Sequence, residues 1–321
     1  MEMNQELTEI TVVGNDSTGL IARVTSLLFD RGVNIEDMDQ AVRDDVFRMT
    51  LQVDTSGMDG SEADLRRSLT DLCDELGLDV KVRFPTRSEP DSIAVLVTKE
   101  RHCLEAMLEE FAANGSGAEV EVVIGNHSEL EPIAARYDVP FHDVGDSKGS
   151  PDEDELLGLL AEYDTDLIAL ARYIRILGPE VVFRYEKRII NVHPSLLPAF
   201  PGASAYMQAI EKGVRIAGVT AHYVTPDLDQ GPIITQRAFN VPDDATEADL
   251  ERRGQPLEAE ALVEAVHLHL DGNVSVGRGR THVQNPEERV LGLPSEIDQL
   301  NPAEPVDAEA PLDGNEGAPN Q

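Results

Sequence analysis

The middle of this chain alternates short apolar runs with helical segments, and this alternation restricts the fold more than any other feature. The runs are residues 93–97, 120–124, 167–170 and 189–192. Strands that are short and almost wholly apolar are typical of parallel sheets, which are buried on both faces. We therefore predict an α/β fold in which residues 92–283 form a doubly wound, mostly parallel sheet with helices on both sides.

The first part of the chain follows a different order, strand–helix–strand–strand–helix–strand. This order predicts a ferredoxin-like βαββαβ module over residues 1–84, whose second helix, at 62–76, ends before a capping glycine, Gly77. Residues 85–91 contain two prolines and read as a linker. Residues 284–321 are rich in Asn, Pro and acidic side chains, so we predict an acidic, disordered tail.

The chain carries 61 acidic and 26 basic residues, a formal net charge of −35, and the acidic residues are spread along its whole length. Phosphate contacts need clustered Lys and Arg, so this balance argues against binding to nucleic acid or to an anionic membrane. The excess also predicts a halophilic protein from a salty cytoplasm, because molar salt shortens the Debye length to about 3 Å and screens the repulsion. An ordinary acidic protein with an acidic tail is the alternative.

Cysteine usage and hydropathy point to the cytoplasm. No apolar run approaches the roughly 18–20 residues that span a bilayer, and the polar first residues do not resemble a signal peptide. Cys73 and Cys103 lie in different segments and are too few for a disulfide framework. No Cys/His cluster has the spacing of a metal site. We therefore predict a cytoplasmic protein that binds neither a membrane nor a metal.

Three polar residues carry the chemistry that the sequence suggests. Asn191 and His193 lie two residues apart at the carboxyl end of a predicted strand, which Pro194 ends, so their side chains share one face. Asp229 lies in a Gly/Pro-bounded loop. The amide can polarise a carbonyl oxygen, the imidazole can move a proton near neutrality, and the carboxylate can orient it. This set suits transfer or hydrolysis of a formyl group.

Several motifs, in order along the chain, resemble the folate-dependent formyltransferase/hydrolase superfamily. Within it, the chain up to about Val283 is more closely similar to the formyltetrahydrofolate deformylase family, and the first module resembles an ACT domain. The motifs are residues 15–20, 32–35, 96–104, 123–127, 137–141, 170–177, 191–202, 220–224 and 229–234.

This resemblance implies hydrolysis of 10-formyltetrahydrofolate by water, within one-carbon and purine metabolism, without a cofactor. It makes Asn191, His193 and Asp229 the catalytic trio and places His222 beside them, either in a direct role or as a satisfied structural histidine. The other side chains implied to line the folate pocket are Arg175, Ile176, Leu177 and Val182.

The ACT-like module implies regulation by a small amino-acid effector, and we further predict a homo-oligomer. The residues implied to meet the effector are Asn15, Asp16, Gly19, Leu20 and Asn34. A purely structural role for Gly19, as a residue that permits a turn, is the alternative.

Three positions depart from the deformylase pattern and leave the formyl acceptor open between water and an amine. Pro194 stands in place of a second histidine, Ile174 in place of a methionine, and Gln230 in place of a glutamate or alanine. The first of these departures is more typical of phosphoribosylglycinamide formyltransferase, which is the strongest rival.

That rival holds its substrate's phosphate in a glycine- and serine-rich loop. The corresponding residues here, 98–102, contain neither and carry Glu100 in their middle, which favours hydrolysis, although Lys99 and Arg101 could meet a phosphate. Methionyl-tRNA formyltransferase would need an RNA-binding extension. An amino-acid sensor with a dead catalytic domain would have no use for the intact trio.

Overall fold

The computed structural model describes residues 7–84, 90–112, 117–277 and 279–284. The predicted tail 284–321 therefore lies almost entirely outside the described residues. The same holds for most of the predicted linker 85–91, of which Asp91 already belongs to a strand.

The first module is an antiparallel sheet of four strands with two helices packed on one face. Its elements are β1 (Thr8–Asn15), α1 (Leu20–Asp30), β2 (Asn34–Arg43), β3 (Val46–Asp54), α2 (Glu62–Leu76) and β4 (Leu78–Arg83). The strand order is β2-β3-β1-β4, and the helices bury side chains such as Leu28 and Leu69 in a core shared with the strands. The predicted ferredoxin-like βαββαβ arrangement is confirmed.

Local chemistry accounts for the turns of this module. Asp44 and Asp45, between β2 and β3, have φ of 47° and 63°, the left-handed pair that a two-residue hairpin turn requires and that Asp tolerates. Ser61 begins α2 by exchanging hydrogen bonds with Asp64. Gly77, with φ of 68°, ends the same helix, as predicted.

The second module is a seven-stranded sheet covered by helices and followed by a hairpin. Its elements are β5 (Asp91–Val97), α3 (His102–Phe111), β6 (Ala118–Gly125), α4 (Glu131–Ala134), β7 (Phe141–Asp143), α5 (Glu153–Glu162), β8 (Leu167–Ala171), α6 (Pro179–Arg184), β9 (Ile189–His193), α7 (Ala205–Lys212), β10 (Ile216–Tyr223), β11 (Ile233–Asn240), α8 (Glu247–Leu270), β12 (Val274–Gly277) and β13 (Arg280–Val283). The sheet order is β11-β10-β9-β8-β5-β6-β7. Strands β5 to β9 are parallel to one another, whereas β10 and β11 run antiparallel.

The direction of winding reverses at β5. Strands β6 and β7 lie on one side of it and β8 and β9 on the other, which opens a crevice at the carboxyl ends of β5 and β8. Helices α3 and α8 cover one face of the sheet, and α5 and α6 cover the other. This is the doubly wound, mostly parallel sheet that the apolar runs predicted. Among the described residues, no helix combines the length and the apolar character needed to cross a bilayer.

Candidate active site

A cavity of about 830 Å³ opens at the carboxyl ends of β8 and β9, beside this crevice. Every side chain predicted for catalysis or for folate binding lines it. These residues are Asn191, His193, Asp229, Arg175, Ile176, Leu177, Val182 and His222. The structure therefore gathers into one cavity residues that are spread over more than fifty positions of the chain.

Asn191 on β9 faces His222 on β10, because the two residues are paired in the antiparallel register. A bulge between Ala221 and His222 interrupts the pairing with β11, the kind of irregularity that re-aims a side chain. Nδ1 of His222 donates to the Tyr223 carbonyl at 2.9 Å, so its Nε2 accepts from the Asn191 amide nitrogen at 3.2 Å. Burial lowers the pKa of His222, which keeps the ring in the neutral form that this arrangement needs.

His193 is held in place by a hydrogen bond from its Nε2. Its Nε2 lies 2.9 Å from the carbonyl oxygen of Phe200, which can only accept, so Nε2 carries the proton of that bond. Nδ1 then faces Asp229 Oδ2 at 3.4 Å, and both side chains are 7% exposed. The nitrogen that faces the carboxylate is therefore the one free to gain and lose a proton.

One short loop, residues 200–204, holds both members of this pair. Phe200 provides the carbonyl for His193, and the Gly202 N–H donates to Asp229 Oδ2 at 2.7 Å. Phe200 and Asp229 both have left-handed backbones, with φ of 55° and 54°. Such conformations are costly for residues other than glycine and are typical of functional sites that the surrounding structure fixes.

The predicted folate-binding residues form a second wall of the cavity, with an apolar lining and an apolar rim. Leu177 and Val182 are 7% and 3% exposed, whereas Ile174 and Ile176 are 55% and 73% exposed at the mouth. Arg175 lines the cavity, and part of its guanidinium is hydrogen-bonded to a neighbouring turn. Its guanidinium donates to the carbonyls of Gly149 and Lys148 at 2.6 and 3.0 Å, so it holds that turn against the wall.

The residues predicted to meet an effector lie at two turns of the first module. Asn15, Asp16, Gly19 and Leu20 surround the turn from β1 to α1, where Gly19 has φ of 93°, and Asn34 begins β2. A separate cavity of about 520 Å³ lies between α1 and α2, and none of the five residues lines it. Their regulatory role stays a prediction.

A buried cluster around Glu258 was missed by sequence spacing. Glu258 on α8 is 1% exposed and accepts from the Tyr206 hydroxyl at 2.7 Å. His102 Nε2 lies 3.0 Å and Arg172 Nε 3.3 Å from its other oxygen. His102 and Glu258 are 156 positions apart, so no local motif links them. The sequence feature that could have pointed to this cluster is a glutamate four residues before Leu262, on the face of α8 that is buried.

Comparison with known proteins assigns both modules. The formyl transferase family model matches residues 91–266, and the ACT domain model matches residues 8–83. The formyltetrahydrofolate deformylase of Bacillus subtilis (strain 168) is 35% identical over 287 residues, which are 88% of this chain and 95% of that protein. A crystal structure of a formyltetrahydrofolate deformylase from Pseudomonas syringae pv. tomato matches with a TM-score of 0.60 and 26% identity, over 86% of this chain and 94% of that one.

The rival family gives a shorter match. A phosphoribosylglycinamide formyltransferase structure from Anaplasma phagocytophilum has a TM-score of 0.58 and 32% identity, and it covers 62% of this chain and 96% of that one. The deformylases cover more of the chain and are similar over nearly their whole length. With an ACT module followed by a formyl transferase module, the chain belongs to the formyltetrahydrofolate deformylase family.

Proposed function

We propose that this chain hydrolyses 10-formyltetrahydrofolate to formate and tetrahydrofolate. The observation that carries the proposal is the convergence of Asn191, His193 and Asp229 on one cavity, with His222 orienting the amide. Membership of the deformylase family supports the substrate.

Each side chain has a role that its geometry permits. The Asn191 amide donates to the formyl oxygen, which becomes an anion when water adds to the formyl carbon. Asp229 accepts a proton from that water, and His193 delivers the proton on Nδ1 to N10 as the carbon–nitrogen bond breaks. The oxygen of water ends in formic acid, which ionises to formate by releasing the second proton of the water, and tetrahydrofolate leaves with the proton from His193 on its nitrogen. After these steps Asp229 holds a proton and His193 lacks one on Nδ1. Because Nδ1 and the carboxylate are 3.4 Å apart, the proton can pass from Asp229 to His193 and restore the starting state.

Water is the proposed acceptor because the cations of the turn after β5 are already paired. Lys99 Nζ lies 3.0 Å from Glu129, and an Arg101 nitrogen lies 2.6 Å from Glu105. Glu100, between them in sequence, lines the cavity. A substrate phosphate would therefore meet an unfavourable charge at the position where the rival family binds it.

The proposed reaction uses no metal and no other cofactor. Among the described residues, His102, Cys103 and Glu258 could bring ligand atoms within 4.8 Å of one another. However, Glu258 already accepts from Tyr206 and faces the Arg172 guanidinium, whose positive charge opposes a bound cation. Burial raises the pKa of the Cys103 thiol well above its ordinary value, which disfavours the thiolate that metals require.

The cellular setting completes the proposal. We place the enzyme in the cytoplasm, because Cys73 and Cys103 are both free and buried, as in a reducing compartment. Its products belong to one-carbon metabolism and hence to purine biosynthesis. The ACT module supports a small amino-acid effector and a homo-oligomeric assembly.

The proposal is tested by following formate and formylated product from 10-formyltetrahydrofolate, with and without glycinamide ribonucleotide. We expect formate release without any amine, and the same rate after treatment with a chelator. Turnover only in the presence of the ribonucleotide would make the chain a transferase. Loss of activity on chelation, with recovery on adding zinc, would refute the metal-free reaction.

A further inference from the structure

The hydroxyl of Tyr206 sits in a slot on α8 that spans one helical turn, from Gly254 to Glu258. Tyr206 is 4% exposed and donates to Glu258 at 2.7 Å. A Cβ at Gly254 would lie 1.7 Å from the Tyr206 hydroxyl oxygen and 2.5 Å from the ring carbon that bears it. Glycine weakens the interior of a helix, so the close approach of Tyr206 gives a physical reason for glycine at this position.

The acceptor in the slot is a charged carboxylate. Burial alone would raise the pKa of Glu258, but the hydrogen bond from His102, the charge of Arg172 and the Tyr206 hydroxyl outweigh it and hold that pKa below its ordinary value. A hydrogen bond to an ionised acceptor is roughly twice as strong as one between neutral groups. The slot therefore anchors Tyr206 firmly.

Tyr206 lies close to the loop that holds the proton-transfer pair. It is the second residue of α7, and the 200–204 loop ends two residues before it. Phe200 and Ser204, at the two ends of this loop, have left-handed φ values of 55° and 57°. Because such backbones persist only where neighbouring structure fixes them, the loop needs an anchor at its α7 end.

We infer that Tyr206, seated against Gly254 and Glu258, is a positioning residue for the hydrolysis. It holds the 200–204 loop, and the loop sets the distance and orientation of His193 relative to Asp229. This inference rests on the proposed function. Tyr206 also lines the cavity, but the predicted folate wall comes from other residues, 173–177 and Val182 of α6. We therefore expect loss of the hydroxyl anchor to slow the reaction more than it weakens substrate binding.

The first test is Tyr206→Phe, which removes only the hydroxyl. We expect kcat for formate release to fall about 10-fold, since small misplacements of reacting groups carry losses of this order or larger, while KM stays within about 2-fold because the folate wall is untouched. Gly254→Ala fills the same slot from the helix side. In the double variant, the two losses should be less than multiplicative, because both act through one contact.

Tyr163→Phe is the matched control. The Tyr163 hydroxyl also bonds an ionisable side chain, His142 Nε2 at 2.9 Å, but Tyr163 follows α5 and does not line the cavity. Its removal should leave kcat and KM within about 2-fold of the original values, the scatter expected for a residue outside the reacting centre.

Amide hydrogen exchange at Gly202, whose N–H donates to Asp229 Oδ2, measures the anchor without reference to turnover. In Tyr206→Phe we expect exchange there to rise by about 10-fold, as expected for a weakened local restraint, and to stay unchanged in Tyr163→Phe. Unchanged exchange in Tyr206→Phe would overturn the inference. It would also be overturned if Tyr206→Phe retained kcat and lost only as much stability as Tyr163→Phe. Absence of formate release from the unaltered enzyme would instead refute the proposed function, and the exchange result would still decide the anchor.

Discussion

At the scale of single residues, the site depends on which nitrogen of each histidine is hydrogen-bonded to a backbone carbonyl. The Tyr223 carbonyl commits Nδ1 of His222, and the Phe200 carbonyl commits Nε2 of His193. Each ring therefore presents its opposite nitrogen to the cavity. His222 uses that nitrogen to orient Asn191, whereas His193 presents its own to Asp229. This geometry supports different roles for the two histidines, and we propose that His222 acts by orienting the Asn191 amide.

The role of Asp229 is tested by Asp229→Asn, which preserves size and can still accept from the Gly202 N–H. Removing the charge takes away the proton acceptor beside His193. We expect kcat to fall by roughly 10²–10⁴, the range for loss of a positioned acid or base, with an unchanged melting temperature. The measurement is formate release at saturating substrate.

The matched control is Asp227→Asn, in the same loop but exposed and outside the cavity lining. It should retain full kcat. Full activity in both variants would remove Asp229 from the mechanism, whereas equal loss in both would show that the loop tolerates no substitution.

Residue-scale prediction from sequence succeeded where the chain itself supplies the geometry. The two-residue period of a strand places Asn191 and His193 on one face, and the structure finds both lining the cavity. The Phe200 carbonyl and the Glu258 cluster could not be predicted, because a backbone carbonyl has no sequence signature and the cluster joins four separate segments. Long-range contacts of this kind appear only in the folded chain.

At the scale of elements, prediction was best where both ends of an element carry a local signal. Helix α2 was predicted at residues 62–76 and is found as Glu62–Leu76, because a capping box begins it and a left-handed glycine ends it. Strand β7 (Phe141–Asp143) has three residues and the hairpin strands β12 and β13 have four each. In three or four residues, the alternation of apolar and polar side chains repeats too few times to be recognised as a strand.

The contact between the two modules includes a buried carboxylate, Asp166, which immediately precedes β8. Its side chain is 5% exposed and lies 2.6 Å from Lys81 and 2.8 Å from Arg83, both on β4. Asp166→Asn removes the buried charge that these two cations share and leaves them only the more exposed carboxylates of Asp164 and Glu9. We expect the free energy of unfolding to fall by about 1–3 kcal/mol, the usual loss when a hydrogen-bonded charged partner is removed, as measured by chemical denaturation.

Asp164→Asn is the control for this effect. Asp164 pairs with the same Lys81 at 2.9 Å, but its side chain is 82% exposed. Exposed pairs contribute at most about 1 kcal/mol, so this variant should unfold nearly like the unaltered chain. If the two variants lose the same stability, burial of the carboxylate is not what secures the contact.

At the scale of the whole molecule, the fold and the charge answer different questions. Hydrophobic periodicity specified the two modules, and the ordered motifs specified the family. The net charge of −35 enters neither argument, because surface charge tunes solubility and repulsion rather than topology. The net charge instead determines how the stability of the fold depends on salt, and electrostatics alone predicts that dependence.

A surface with this excess of carboxylates crowds like charges within one Debye length, about 10 Å at 0.1 M salt. Only five lysines accompany them, so we expect the melting temperature and the degree of subunit association to rise from dilute buffer to molar potassium chloride. Melting series on the full chain and on a chain ending at Val283 locate the effect. A rise in both places it in the folded modules and supports a halophilic enzyme. A rise in the full chain alone places it in the last residues, and a flat or falling series in both rules out salt adaptation.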